Sequence, residues 1–205
     1  MTDDVPAAPS EGPEHNVSSM ALTFDDGPDA VWTARLLDVL ARAGAAATFF
    51  PIATRAAEHP ELVARMLADG HGVGLHCDEH VRHSERDSDW VRADTARALE
   101  RLQAVGVTPT LWRTPWGDTA PFTGAVASEH GLRLVGWTAD THDWRGDTAQ
   151  DMYEATHPRL RSGAVVLAHD GVGPGARRED AAETVAYVEH VSAWAAEAGI
   201  SLRRL

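Results

Sequence analysis

The sequence predicts an α/β fold, a parallel sheet whose strands are joined by helical crossovers. Short apolar runs of strand length alternate regularly with stretches of helical period. The connections between them are short, with neither a sequence repeat nor an internal linker. Ionisable side chains also recur at the carboxyl ends of successive runs, the edge on which parallel α/β folds build their sites.

The chain starts with MTDDVPAAPSEGPEHNVSS, rich in Pro, Ser and acids, which predicts a mobile tail over 1–17 and a single domain over 18–205. Strands are expected at 20–24, 47–51, 72–76, 110–113, 132–138, 164–169 and 200–203. Helices are expected at 31–43, 61–68, 90–104 and 179–197. In the first helix Leu36, Leu37 and Leu40 mark the apolar face and Gly44 ends it. In 90–104, Val91, Thr95, Leu99 and Leu102 share one face, with Arg92, Asp94, Glu100 and Arg101 on the other. Seven strands fit either an open doubly wound sheet or a closed, irregular barrel, and periodicity does not choose between them.

Composition narrows the function classes. The 205 residues are 43% hydrophobic and 24% charged, which excludes collagenous and wholly disordered classes. A net charge of −13 argues against a nucleic-acid partner, which requires a basic face. No apolar run approaches the roughly 18 residues of a membrane span. The start lacks a basic and apolar leader pattern, and Cys77 is the only cysteine, so a cytoplasmic protein without disulfides is expected. The Gly-rich 171–175 lacks the Lys-Ser/Thr ending of a phosphate cradle.

Asp25 and Asp26 follow the first predicted strand, His76 ends the third, Arg113 ends the fourth, Asp140 and Asp143 follow the fifth, and His169 ends the sixth. Alone, DDGP is equally a solvated turn and His169 a satisfied core histidine. Two adjacent carboxylates at a buried strand end resist joint ionisation, and a cation resolves the conflict. His76 and His80, at i and i+4, would face one side of a helical turn, a zinc-binding spacing. Two His and one Asp leave coordination positions open, as catalytic sites do. Arg113 suits a guanidinium that keeps a catalytic carboxylate ionised, and Asp143 offers His169 an orienting partner.

Five segments then carry a resemblance: TFDDGP at 23–28, H-x-x-x-H at 76–80, R-x-P-W-G at 113–117, D-x-x-D-W at 140–144 and L-x-H at 167–169. In that order they resemble the polysaccharide deacetylases with a NodB homology domain, carbohydrate esterase family 4. The resemblance implies a deformed (β/α) barrel of about seven parallel strands. It implies one divalent ion, zinc or else cobalt, held by Asp26, His76 and His80. Asp25 matches the catalytic base, His169 the general acid, Arg113 the arginine that positions the base, and Asp143 the tether of the acid. The Trp116 N–H matches the oxyanion donor, and Trp144 and Leu167 match residues lining the acetyl pocket. Cys77 departs from the family's Ser or Thr, Trp116 from its Tyr or Phe, and the segment after His80 is unusually polar.

The expected activity is therefore N-deacetylation of a soluble amino sugar, oligosaccharide or glycosylated small molecule. A same-fold hydrolase of a non-sugar amide or cyclic imide is the alternative. A catalytically silent binding protein is the remote one, since Asp25 and His169 are both retained.

Overall fold

The computed structural model describes residues 18–205, so the tail expected over 1–17 lies outside the described residues. At the centre is β1 (Ser19–Asp25), paired in parallel with β2 (Thr48–Phe50) on one side and β7 (Val165–His169) on the other. β3 (Gly72–Val73) extends the sheet beyond β2, β6 (Ala139–Asp140) extends it beyond β7, and β8 (Ser201–Leu202) pairs with the start of β1. β4 (Leu111–Trp112) and β5 (Arg133–Leu134) form a second parallel pair, tied to the first sheet by a bridge between Leu75 and Trp112. Among the described residues no ladder joins β5 to β6, so the wall is a barrel left open at one seam.

Strand alternation divides the chemistry. Successive side chains point to opposite faces of a sheet. Met20, Leu22 and Phe24 of β1, Phe49 of β2, and Val166 and Ala168 of β7 belong to one apolar core. Against them pack α1 (Trp32–Ala43) through Leu36, Leu37 and Leu40, and α7 (Ala182–Glu197) through Tyr187, Val188 and Val191. The intervening residues, Thr23 and Asp25 on β1, Phe50 on β2, and Leu167 and His169 on β7, therefore share the other face. A second core under β4 gathers Trp112 and Leu75 with α2 (Ala53–Glu58), α4 (Ser88–Ala104) and α5 (Thr123–Glu129).

Several expectations need correction. The run 132–138 is not one strand. Only Arg133–Leu134 pairs with β4, and Ala139–Asp140 is the segment that pairs with β7, so Asp140 lies in a strand rather than after one. Among the described residues the strands therefore number eight. α2, α5 and α6 (Ala149–Thr156) were not expected. The first two are short and rich in small residues, and α6 buries only Met152 and Thr156. Its one local signal is the capping box of Thr148 and Asp151. Asp94, assigned to the outer face of its helix, is 4% exposed. The reason lies in the site it supports.

Candidate active site

The register of the central strands brings the reactive groups level. Asp25 lies opposite Phe50 on β2 and opposite His169 on β7. Arg113, just after β4, is fully buried and spreads its guanidinium over three acceptors. Nη1 donates to Asp25 Oδ1 at 2.9 Å and to Thr23 Oγ1 at 2.8 Å, and Nη2 donates to the Gly136 carbonyl at 3.1 Å. The Phe50 ring, 4.5 Å from the guanidinium carbon, packs against the same cation.

Asp26 takes φ +74°, and its carboxylate meets two imidazoles. Nε2 of His76 and of His80 lie 3.3 and 3.2 Å from Asp26 Oδ1. One donor atom from each of the three residues falls within a 4.8 Å cluster. His76 Nδ1–H donates to the Arg113 carbonyl at 2.7 Å. A carbonyl only accepts, so Nδ1 carries a proton and Nε2 is the nitrogen turned to Asp26. Burial opposes charge on His76 but the carboxylates of Asp26 and Asp25 raise it, and a bound cation would take the place of the Nε2 proton. Asp26 Oδ1 is buried and has no well-aligned hydrogen bond. Burial disfavours charge on Asp26, yet the two imidazoles outweigh it and hold the carboxyl well below its usual range. The donor set thus calls for positive charge at its centre, and two imidazoles with a carboxylate suit a divalent ion.

His80 does not arrive on a helical turn, as its spacing suggested. Residues 78–79 form a bend, and the N–H groups of Asp78 and Glu79 donate to the two oxygens of Asp94 at 3.1 and 2.9 Å. Those bonds are why α4 buries an aspartate. Cys77, between the two histidines, is buried on an extended bridge to Ile52, and burial, reinforced by neighbouring carboxylates, pushes its thiol well above the ordinary range. That is an inert thiol rather than an oxidation-sensitive one.

His169 and Asp143 form the second centre. His169 Nδ1 lies 2.7 Å from Asp143 Oδ1. Asp143 Oδ2 accepts from the His169 N–H at 2.9 Å, from Arg178 Nη1 at 3.0 Å and from Thr184 Oγ1 at 2.8 Å. Burial opposes charge on both partners. The charge and hydrogen bond of Asp143 prevail and lift His169 to about 9, while His169 and Arg178 bring Asp143 down to about 2. His169 is therefore an imidazolium at neutral pH, with Nδ1–H on the carboxylate and Nε2–H free for other work.

Both centres open into one cavity of about 560 Å³, whose wall includes Leu167, Trp116 and Trp144. The two tryptophans are 41% and 36% exposed. Trp116 holds φ +55°, an uncommon conformation for a bulky residue, and its ring stands edge-on to His80 with centroids 4.1 Å apart. The loop 171–178 bounds this cavity and is pinned at both ends. Arg55 donates to the carbonyls of Asp26 and Val172, and Arg178 to those of His169 and Gly171. Gly173 lies so close to Asp26 Oδ2 that a β-carbon there would collide with it.

Of the ten residues given roles by the resemblance, eight line this one cavity, and the other two, Arg113 and Asp143, are buried behind it and hold Asp25 and His169. Sequence reasoning passed over Asp94, Arg178, Thr184 and Asp170. Asp170, buried directly after His169, accepts from the Gly27 N–H and from Thr33 Oγ1, and burial raises it to about 7. Its place in the AHDG stretch was the only available signal. Arg178 sits in the polar segment ARRED, where nothing distinguishes it from a solvated charge.

Comparison with known proteins bears on the same arrangement. The polysaccharide deacetylase family model matches residues 12–135. A chitooligosaccharide deacetylase from Bradyrhizobium sp. (strain ANU 289) is 35% identical over 162 residues, covering 78% of this chain and 74% of the relative. A peptidoglycan-N-acetylglucosamine deacetylase from Bacillus cereus is 32% identical over 160 residues, covering 78% of this chain but 58% of the longer relative. A family 4 carbohydrate esterase from Streptomyces lividans, solved with acetate, superposes with a TM-score of 0.81 at 29% identity, over 90% of this chain and 91% of that one. The family match spans more than half of the sequence and two relatives exceed 30% identity over most of it, and on that footing the chain belongs to the polysaccharide deacetylase family.

Proposed function

We propose that the protein is a metal-dependent N-deacetylase that hydrolyses the acetamide of an amino sugar, either within an oligosaccharide or on a glycosylated small molecule. One observation carries the reading. A carboxylate gripped by a buried arginine and a charged imidazole stand level on adjacent strands, beside a three-donor cation site in the same cavity. Hydrolysis of an unactivated amide needs both a base and an acid, because an amine leaves poorly unless protonated. The amino-sugar substrate is supported by the names of the relatives, a chitooligosaccharide deacetylase and a peptidoglycan-N-acetylglucosamine deacetylase.

In this reading Asp26, His76 and His80 hold the ion, zinc by preference for such nitrogen and oxygen donors, with cobalt able to take the same set. When bound, such an ion would lower the pKa of a water molecule toward about 7 and polarise an acyl oxygen. Asp25 accepts the proton of the attacking water at its carboxylate, while Arg113 keeps that carboxylate oriented. The Trp116 N–H donates to the oxygen of the tetrahedral intermediate, a contribution of roughly 3–4 kcal/mol per donor in other acyl-transfer enzymes. His169 gives its Nε2 proton to the departing nitrogen, and Asp143 stabilises the imidazolium until it does. Trp144 and Leu167 bound the space for the acetyl group.

The test is acetate release by zinc-loaded protein from N-acetylglucosamine, its short oligomers and simple N-acetyl amides, beside a chelator-treated control. Chelator-sensitive release from the sugars is the expected result. Stoichiometric metal binding with no release from any sugar would overturn the substrate assignment.

A further inference from the structure

The mouth of the cavity carries charge that deacetylation itself does not use. All 18 basic residues of the chain are arginines, set against 31 acids, so the overall field repels anions. Yet Arg82 lines the cavity, its guanidinium carbon 4.4 Å from the centre of the Trp116 ring. Its nearest carboxylate, Glu85, approaches only Nε, at 4.0 Å, and both Nη groups are without a hydrogen bond among the described residues. On Trp144 the guanidinium carbons of Arg145 and Arg177 lie 5.5 and 6.0 Å from the ring centre. Although Asp147 and Glu179 are close in sequence, neither arginine forms an ion pair among the described residues. Each exposed tryptophan of the cavity thus carries arginine near its ring, and among the described residues the Nη groups of Arg82 and the guanidinium groups of Arg145 and Arg177 form no close ion pair.

We propose that this rim recognises a negatively charged substituent, a carboxylate or a phosphate, on the saccharide whose acetamide enters the site, with Arg82 as the principal contact. The inference rests on the amino-sugar reading above. Arginine's fork matches either oxyanion with paired hydrogen bonds, and stacking on an aromatic ring limits the freedom lost on binding. Arg82 stands beside the exposed Trp116 at the mouth, so it can hold a charged substituent while the acetamide lies deeper, against Leu167 and Trp144.

The test compares matched probes by kcat/KM for acetate release. N,N′-diacetylchitobiose is set against the N-acetylglucosamine–N-acetylmuramic acid disaccharide, and N-acetylglucosamine against its 1-phosphate. The charged member of at least one pair should be favoured about tenfold or more, the scale of one charge-assisted hydrogen bond, and which pair responds separates carboxylate from phosphate. Arg82→Gln should bring that ratio close to one, Arg82→Lys should retain part of it, and added salt should shrink it in the unaltered protein. Equal rates within both pairs, or a ratio that survives Arg82→Gln, would overturn the proposal. Calorimetric binding of the same pairs to Asp25→Asn repeats the comparison without turnover. Failure of every probe to release acetate therefore counts against the deacetylase reading, and absence of a charge preference in binding counts against the rim.

Discussion

Asp25 and Asp26 are chain neighbours with opposite company. The first faces a guanidinium and the second faces two imidazoles, and in the proposed mechanism that difference separates base from ligand. Asp25→Asn keeps the shape and the contact with Arg113 but removes the proton acceptor. Its kcat should fall by about two to four orders of magnitude, while the metal-to-protein ratio by elemental analysis stays that of the parent. Near-normal turnover would remove Asp25 from the role of base. His169 makes a separate statement about pH. Its pKa is raised to about 9, so the acid form is populated at neutral pH and is lost as pH rises through that value. A divalent ion on Asp26 cancels part of the negative field that supports the imidazolium. The alkaline limb of the kcat profile should therefore lie at or below about 9, and Asp143→Asn should move it to lower pH. A limb unmoved by Asp143→Asn would mean that another group titrates there.

At the scale of elements, α4 explains how a metal ligand can sit on a bend. Asp94 receives both N–H groups of that bend, and Arg97 and Arg101 tie the same helix to Asp78. Asp94→Ala leaves the buried Asp78 N–H and the partly buried Glu79 N–H without their acceptor, and His80 loses the platform that aims it. Metal affinity by calorimetry should fall about 10- to 100-fold, as is usual when the support of a ligand is removed, with a loss of stability on the order of 1–3 kcal/mol. Unchanged affinity would show that His80 is aimed by Trp116 alone. The same helix marks the limit of what was legible in the sequence. The reactive residues could be read because their chemistry restricts residue type at each strand end, and Asp25, His76 and His169 do reach one cavity, with Arg113 buried behind Asp25. Helical period placed Asp94 with Arg92 and Arg101 on the solvent side, because period registers a polar residue but not a buried backbone that needs an acceptor. The two-residue strands β3 to β6 are too short to carry any period, so the break within 132–138 was invisible. The ambiguity between open sheet and barrel has a similar cause, since it is resolved by a single bridge at Leu75 and by the seam between β5 and β6.

Across the whole molecule the cation site joins segments that are distant in the chain. Asp26 directly follows the central strand, His76 and His80 belong to the second core's side of the wall, and the loop 171–178 lies over Asp26 from beyond β7. These pieces converge on a buried carboxylate oxygen that two imidazole nitrogens approach without an aligned hydrogen bond, the place where a cation would bind to the folded state alone. A ligand that binds only the native state stabilises it by mass action, about 2.7 kcal/mol at a free concentration of 100 times Kd. For a chain of this size each kcal/mol corresponds to roughly 2–4 °C in Tm. Zinc at that excess should therefore raise Tm by roughly 5–10 °C over chelator-treated protein, in a calorimetric scan that involves no substrate. His76→Ala should abolish the increment, because two remaining donors on different segments no longer enclose the ion. Arg82→Gln should keep it, since Arg82 belongs to the mouth of the cavity and not to the donor set. A zinc-dependent rise that survives His76→Ala would place the ion elsewhere, and the division of labour between Asp25 and Asp26 would have to be drawn again.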